Sequence, residues 1–259
     1  MTHPDDMATG EKILFASILP LIFIFTGCAT SRYTAFQDGK PLGEDNENMT
    51  VGLTMGATRE FDKVVGSTGD EKLEFKDQYA LTPLFSIDGQ IGFAEHLDVG
   101  VGVGLDTQHL HAKLFGKICL FDQTHRLGLA FLPTFIFGGT FEEKEEENKD
   151  FRTEDILFFK AQLMIPVSYR INTKWTVSAS PIFGREIYKA NFKWLDNTVF
   201  KDTFEYDSWG LSIGFKRTFK DQDAIGYIFP ELALVANELD RKFYPYFGIG
   251  IGGNEKSWR

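Results

Sequence analysis

Two histidines and an aspartate stand close together near residue 106. Asp106 is followed by His109 and His111, and the two histidines share one face of an extended strand because side chains alternate along it. Imidazole nitrogens beside a carboxylate are ligands that Zn²⁺ and Cu²⁺ accept. The sequence therefore offers Asp106, His109 and His111 as a candidate metal site. The alternative is that both histidines pair with acids in a hydrated interior.

Further charged residues fall on the same face of the predicted strands as these histidines. They are Asp88, Lys113, Lys117, Lys160, Arg170, Glu186, Lys216 and Glu231. Charges removed from water need partners of opposite sign. We therefore expect a network of ion pairs that tends to close the interior.

No nucleophile with an oriented base can be named in the sequence. We therefore expect no enzyme and no cofactor. Several ten-stranded outer-membrane proteases and some lipid-modifying barrels place acids, His or Ser at the outer rim, but no motif here resembles theirs. A metal-binding or hydrolytic enzyme at the rim near Asp106 stays open as the alternative.

Apolar side chains alternate with polar or small ones from residue 49 onward, with a period of two residues. The candidate site residues are therefore predicted to lie on β-strands. Between Leu97 and Leu105, leucine and valine alternate with glycine and aspartate. Similar patterns predict strands at 49–58, 79–93, 97–105, 108–120, 126–140, 156–171, 175–188, 206–217, 225–235 and 243–252. We predict an all-β protein of about ten antiparallel strands, with 8 to 12 compatible with the pattern.

The composition of the two strand faces predicts a membrane barrel. One face carries small residues with scattered charges, which suit a narrow interior, and the other carries large apolar side chains. The large residues include Phe85, Phe131, Phe135, Phe183, Trp209, Phe215 and Phe247. A sheet with lipid outside must close on itself to satisfy its backbone groups. We therefore predict a closed transmembrane β-barrel over residues 49–259, with long external loops near 59–78, 141–155 and 189–205.

Prolines interrupt the predicted strands in recurring short contexts. TPLF, LPTF, SPIF and YPYF contain Pro83, Pro133, Pro181 and Pro245, and Pro166 and Pro230 also fall inside strands. Proline removes a hydrogen bond from the ladder between strands. Either β-bulges occur at these prolines or the predicted strand boundaries are wrong, and the four repeated contexts favour bulges.

The N-terminal segment is predicted to be a secretory signal. The apolar run Ile13–Phe25 is shorter than the roughly 20 residues that span a bilayer, and Met7 is an alternative start because acids precede the run. The following Phe25-Thr26-Gly27-Cys28 resembles the lipobox of bacterial lipoproteins, although Phe25 replaces the usual leucine. The resemblance implies cleavage after residue 27 and a covalent lipid on Cys28. Residues 28–48 are predicted to be a flexible tether.

The resemblance and the barrel pattern together imply the outer membrane of a Gram-negative bacterium, with the N-terminus in the periplasm. The expected partners are outer-membrane lipids, lipopolysaccharide near the acidic run at 142–147, and the barrel-assembly machinery. Nucleic acid is excluded because the net charge is -10. The sequence indicates a non-enzymatic barrel lipoprotein with a structural or surface role, or a narrow channel for small solutes. A soluble lipid-anchored barrel that binds a ligand stays open as a further alternative.

Overall fold

The structure is a computed structural model that describes residues 34–65, 71–106, 109–121, 124–140, 144–145, 151–194, 198–219, 226–238 and 241–253. Its strands are β1 (Glu47–Val65), β2 (Glu71–Ala94), β3 (Leu97–Leu105), β4 (His109–Cys119), β5 (Leu127–Thr140), β6 (Lys144–Glu145), β7 (Phe151–Met164), β8 (Val167–Arg170), β9 (Trp175–Trp194), β10 (Thr198–Thr218), β11 (Tyr227–Asn237) and β12 (Phe243–Gly253). In this part of the chain no helix is long and apolar enough to cross a membrane.

Antiparallel pairing of neighbouring strands closes the sheet into a barrel. With β7 and β8 counted as one strand and the short β6 left out, each strand pairs with the next along the chain, and β1 pairs with β12. Segments β7 and β8 form one interrupted strand, because both pair with β5 on one side and with β9 on the other. The two-residue β6 pairs only with β7. The predicted ten-stranded antiparallel barrel is confirmed.

The two faces of the barrel differ as the alternation predicts. Along β4 the exposed and buried residues alternate, with Leu110 and Leu114 about half exposed and Lys113 and Lys117 buried. The large aromatic residues predicted to face lipid, such as Phe183, lie on the outer face. Apolar side chains therefore cover the outside, and small, charged and aromatic side chains line the lumen.

The two ends of the barrel carry different connections. At the short-turn end the chain passes from β2 to β3, β4 to β5, β8 to β9 and β10 to β11. At the long-hairpin end it passes through the other connections, and the hairpins β1–β2 and β9–β10 are the longest. Strand β1 starts and β12 finishes at the short-turn end.

The predicted loops at 59–78 and 189–205 are wrong over most of their length. Strand β1 continues to Val65, β2 starts at Glu71, β9 continues to Trp194 and β10 starts at Thr198. The predicted strands end where apolar residues cease to alternate with polar ones. The hydrogen-bonded ladder continues beyond that point, because backbone pairing in a hairpin does not require an apolar outer face.

The predicted bulges at the prolines are also wrong. The register is unchanged across Pro133, since Phe115 pairs with Thr134 and Ile118 with Phe131. Register shifts occur instead between Arg59 and Phe61, between Gly92 and Ala94, and between Thr153 and Asp155. A proline on the wall removes one ladder bond, and the remaining pairs hold the strands in line.

The exposed residue Val101, in the middle of β3, tests whether the outer face contacts hydrocarbon. We expect Val101→Arg to lower the free energy of unfolding in phospholipid vesicles by about 2–4 kcal/mol, because a cation near the bilayer midplane loses its hydration. Urea titration followed by heat-modifiable gel migration measures this loss. The control Thr173→Arg, in the exposed turn before β9, should change stability by less than about 0.5 kcal/mol. Equal effects of the two substitutions would contradict a lipid-facing β3.

Candidate functional site

Most of the described chain before β1 lies inside the barrel. Residues 34–42, called here the lumen segment, lie before the turn that leads to β1, and Thr34 through Asp38 are each at most 8% exposed. A flexible tether was predicted over 28–48, but residues 34–42 are packed against the lumen wall, whereas Glu44 to Glu47 are exposed. Hydrogen-bond partners inside the barrel make this packing stable. Residues 28–33, including Cys28, fall outside the described residues, as does the predicted signal over 1–27.

A socket of glycines receives the side chain of Phe36. A Cβ atom at Gly52, Gly248 or Gly250 would lie 2.4, 2.8 or 2.6 Å from atoms of the Phe36 side chain. These distances are shorter than any tolerated carbon contact, so the absence of side chains makes room for the ring. Phe36 is 2% exposed and clusters with Tyr227 and Phe229 of the neighbouring strand β11.

The carboxylate of Glu231 holds the backbone that carries this ring. Oxygen Oε2 accepts hydrogen bonds from the backbone N–H of Ala35 at 3.1 Å and of Phe36 at 2.8 Å. Phe36 has φ 53°, in the left-handed region that residues other than glycine seldom adopt. Such a conformation persists only where surrounding contacts fix it. The predicted lumen charge Glu231 therefore accepts bonds from two backbone amides.

Below the socket, polar side chains of the segment join the charged wall. The amide of Gln37 donates to Gln90 at 2.9 Å and accepts from Lys117 at 3.2 Å. Lys117 also pairs with Asp98 at 2.9 Å, where both side chains are at most 2% exposed. The segment thus shares partners with the wall and becomes part of its network.

Asp38 supplies the partner of another predicted lumen charge. Its carboxylate lies 3.1 Å from the ammonium of Lys216, which also stands over the ring of Tyr227 at 4.4 Å from the centroid. An ammonium removed from water is stabilised by both a carboxylate and an aromatic face. Lys216 and Asp38 therefore join the segment to β10.

The segment leaves the lumen at the short-turn end through close backbone contacts. The backbone N–H of Gly39 donates to Ser168, and that of Leu42 donates to both carboxylate oxygens of Asp98. A Cβ at Gly39 would lie 2.6 Å from the backbone of Gly128, so a larger residue cannot approach the wall this closely. Contacts therefore extend from Thr34 to the start of β1.

The three residues of the predicted metal site do come together, near the long-hairpin end. Asp106 Oδ1 accepts from the backbone N–H of His109 at 2.7 Å and lies 3.0 Å from its Nδ1, while Oδ2 lies 3.1 Å from Nε2 of His111. These bonds occupy the carboxylate with the two rings. Within the described ranges no group of three or more His, Cys, Asp or Glu side chains is arranged to hold a metal. Metal binding stays a prediction without support from the geometry.

Burial and hydrogen bonding act in opposite directions on Asp106. Burial raises the pKa of the carboxyl, but the hydrogen bonds and charges of His109 and His111 outweigh this and hold the pKa well below its ordinary value of 3.8. Asp106 is therefore ionised at neutral pH. It fixes the turn between β3 and β4 from inside the barrel.

An aromatic and acidic belt continues from these histidines around the lumen. The ring of Phe158 lies 4.9 Å from that of His111 and 5.7 Å from that of Tyr188. Glu186, a predicted lumen charge, accepts hydrogen bonds from Tyr188 at 2.8 Å and Tyr206 at 3.0 Å. It also pairs with Lys160 at 3.3 Å, both side chains being fully buried. This belt crosses the lumen wall from β4 to β10.

The three remaining predicted charges lie in two different places. Asp88 and Lys113 form a buried ion pair at 2.9 Å in the lumen. Arg170 lies at the short-turn end and donates to the backbone carbonyls of Thr124 and His125. Phe36, Asp38 and Asp98 are not among the site residues predicted from the sequence. For Asp98 the signal was present, because parity places it on the inward face of β3.

The arrangement can fill space and neutralise charge. Beside the lumen segment, a cavity of about 440 Å³ opens at the short-turn end and is lined mainly by polar residues, including Lys40, Lys117 and Arg170. Among the described residues the hydroxyls of Tyr188 and Tyr206 donate to the Glu186 carboxylate, and the free cysteine Cys119 is buried.

No protein-family model and no curated protein matches this sequence. Its fold is similar to the crystal structure of the outer-membrane protease OmpT from Escherichia coli, with a TM-score of 0.51 and 10% identity over 81% of this chain and 96% of that chain. The translocator domain of the autotransporter NalP from Neisseria meningitidis gives a TM-score of 0.44 and 10% identity over 95% and 97% of the chains. At this identity the likeness to OmpT shows the fold alone, which is that of outer-membrane β-barrels.

The bonds of Asp106 predict a stability difference that depends on pH. The folded carboxyl has a lowered pKa, so its contribution is full above the ordinary value of 3.8 and is lost as the pH falls through the folded value. We expect Asp106→Asn to lower the free energy of unfolding by about 1–3 kcal/mol at pH 7, and by less at pH 3. Urea titration at both pH values measures the difference. A loss that is equal at both pH values would show that ionisation of Asp106 contributes nothing.

Proposed function

We propose that this protein is a non-enzymatic outer-membrane β-barrel lipoprotein whose lumen is closed by its own N-terminal segment. The observation that carries the proposal is the packing of residues 34–42 against the inner wall, with Phe36 in the glycine socket and Glu231 on its backbone. A barrel closed in this way has a structural or surface role in the envelope. The alternative function is a narrow channel for small solutes.

The contacts of the lumen segment favour closure over an open channel. Its hydrogen bonds and ion pairs reach strands on different sides of the barrel, through Thr54 of β1, Gln90 of β2, Ser168 of β8, Lys216 of β10 and Glu231 of β11. Removing the segment would take the carboxylate of Asp38 away from Lys216, and separating such a pair is costly. A solute crossing the lumen must break several of these bonds at once.

The location and partners follow from the same proposal. An apolar outer face and a fold shared with outer-membrane barrels support insertion by the barrel-assembly machinery and contact with lipopolysaccharide outside. The acidic run at 142–147 lies outside the described residues except for Lys144 and Glu145. We propose the short-turn end as the periplasmic end, because β1 begins there after the predicted signal.

The position of the lumen segment limits where a lipid on Cys28 can lie. Cys28 precedes Thr34 by six residues, which span at most about 20 Å. If Cys28 carries a lipid, that lipid must therefore enter the bilayer from a point within about 20 Å of Thr34. Labelling of cells with radioactive palmitate tests the anchor, and a wild-type chain and a Cys28→Ala variant that incorporate equal label would exclude it.

Conductance in planar bilayers tests closure directly. We expect the wild-type mature chain to give no stable current steps, and a variant lacking residues 34–42 to give them, because the lower lumen loses its filling. Heat-modifiable migration must first show that both barrels are folded.

A cross-linked variant provides the matched control. The hydroxyls of Thr34 and Thr54 lie 2.6 Å apart, so Thr34→Cys with Thr54→Cys suits a disulfide that keeps the segment in place. The oxidised variant should stay closed like the wild type. Equal steps from the wild type and the shortened variant would instead favour the narrow channel.

A further inference from the structure

The outer wall of the barrel carries a groove on its lipid-facing side. The groove has a volume of about 820 Å³ and crosses strands β1 to β5 near the short-turn end. This volume falls within the roughly 300–1,000 Å³ usual for small-molecule sites. Such a depression is notable on a wall that otherwise carries large apolar side chains.

Two adjacent rows of paired residues form the groove. The first row contains one residue from each of β1 to β5, namely Glu47, Ile91, Val99, Gly116 and Pro133. The second row is Met49, Gly89, Val101, Leu114 and Phe135. Each row crosses five strands about 4.8 Å apart, so the groove is about 19 Å long.

Glycine makes the floor of the groove. A Cβ at Gly116 would meet nothing within 4 Å, and one at Gly89 would meet only the carbonyl oxygen of Val101 at 4.0 Å. Both positions thus have open space in front of them on the outer face. The walls are apolar side chains such as Val99 and Leu114, which are 40% and 52% exposed.

One end of the groove is polar and acidic. Glu47 is the single charged residue among the described residues that line it. The exposed acids Glu44 and Asp45 precede it in the turn before β1. An apolar channel with a negative end matches a molecule with a hydrocarbon tail and a cationic head.

We propose that this groove binds one phospholipid, with an acyl chain along Gly89 and Gly116 and an ammonium headgroup at Glu47. The groove length of about 19 Å accommodates an acyl chain, because one leaflet contributes about 15 Å of the hydrocarbon core. The carboxylate of Glu47 attracts the ammonium of phosphatidylethanolamine and repels the net negative phosphatidylglycerol. The site rests on the proposed membrane location and is independent of lumen closure.

Native mass spectrometry of the detergent-solubilised mature chain tests the site. With dioleoyl phosphatidylethanolamine added, we expect one lipid to stay bound to the wild type. Phosphatidylglycerol with the same tails should be retained about threefold less, since an exposed ion pair contributes little. A wild type that retains neither lipid, or both equally, overturns the proposal.

Substitutions in the groove separate the tail site from the headgroup site. Gly116→Leu fills the floor, so the retained phosphatidylethanolamine should fall about tenfold. Glu47→Lys should reverse the preference between the two lipids. The control Ala179→Leu, at an exposed outer-face position on β9, should retain lipid like the wild type. Equal retention by Gly116→Leu and Ala179→Leu overturns the tail site.

Heat-modifiable migration of each variant establishes folding independently of lipid binding. If Gly116→Leu does not fold, Gly89→Leu fills the same floor from β2 and is expected to give the same loss. A dimer in the wild-type spectrum that Gly116→Leu abolishes would assign the groove to a second copy of the chain and overturn the lipid site. Failure of lipid binding with a folded, non-conducting wild type would leave the proposed function intact.

Discussion

The closed lumen depends on one contact, the ring of Phe36 in a socket that three glycines leave open. Gly52 on β1 and Gly248 and Gly250 on β12 stand where any side chain would collide with that ring. The backbone of Phe36 has a left-handed conformation, and Glu231 accepts hydrogen bonds from the backbone N–H groups of Ala35 and Phe36. The position of the remaining lumen segment follows from this point.

The segment completes part of the charge network of the lumen. Lys216 has its carboxylate partner in Asp38, a residue of the segment. Lys117 and Asp98 pair with each other and also bond to Gln37 and to the backbone of Leu42. Nearer the long-hairpin end, Lys160 and Glu186 are complete without the segment. The ion pair nearer the long-hairpin end is thus formed by wall residues alone, whereas Lys216 is paired with a residue of the lumen segment.

The strands and their faces could be predicted from sequence because period-two alternation is a local property. Alternation along the strand is enough to predict that Lys113 and Glu186 face inward. It does not predict which residues form ion pairs, because a pair such as Asp38 and Lys216 joins residues far apart in sequence. The lumen segment and the turn after it have no periodicity and contain Gly39, Pro41 and Gly43, so their composition indicates a linker. The inward glycines near both chain ends were the one available signal, since they leave space that some other group must fill.

Hydrogen exchange of the backbone amides in the lumen segment tests the central claim most directly. In detergent-solubilised protein we expect the amides of Ala35, Phe36, Gly39 and Leu42 to exchange about as slowly as those of the barrel strands, because Glu231, Ser168 and Asp98 accept their hydrogen bonds. Exchange at the rate of an unstructured peptide would contradict a lumen closed by residues 34–42.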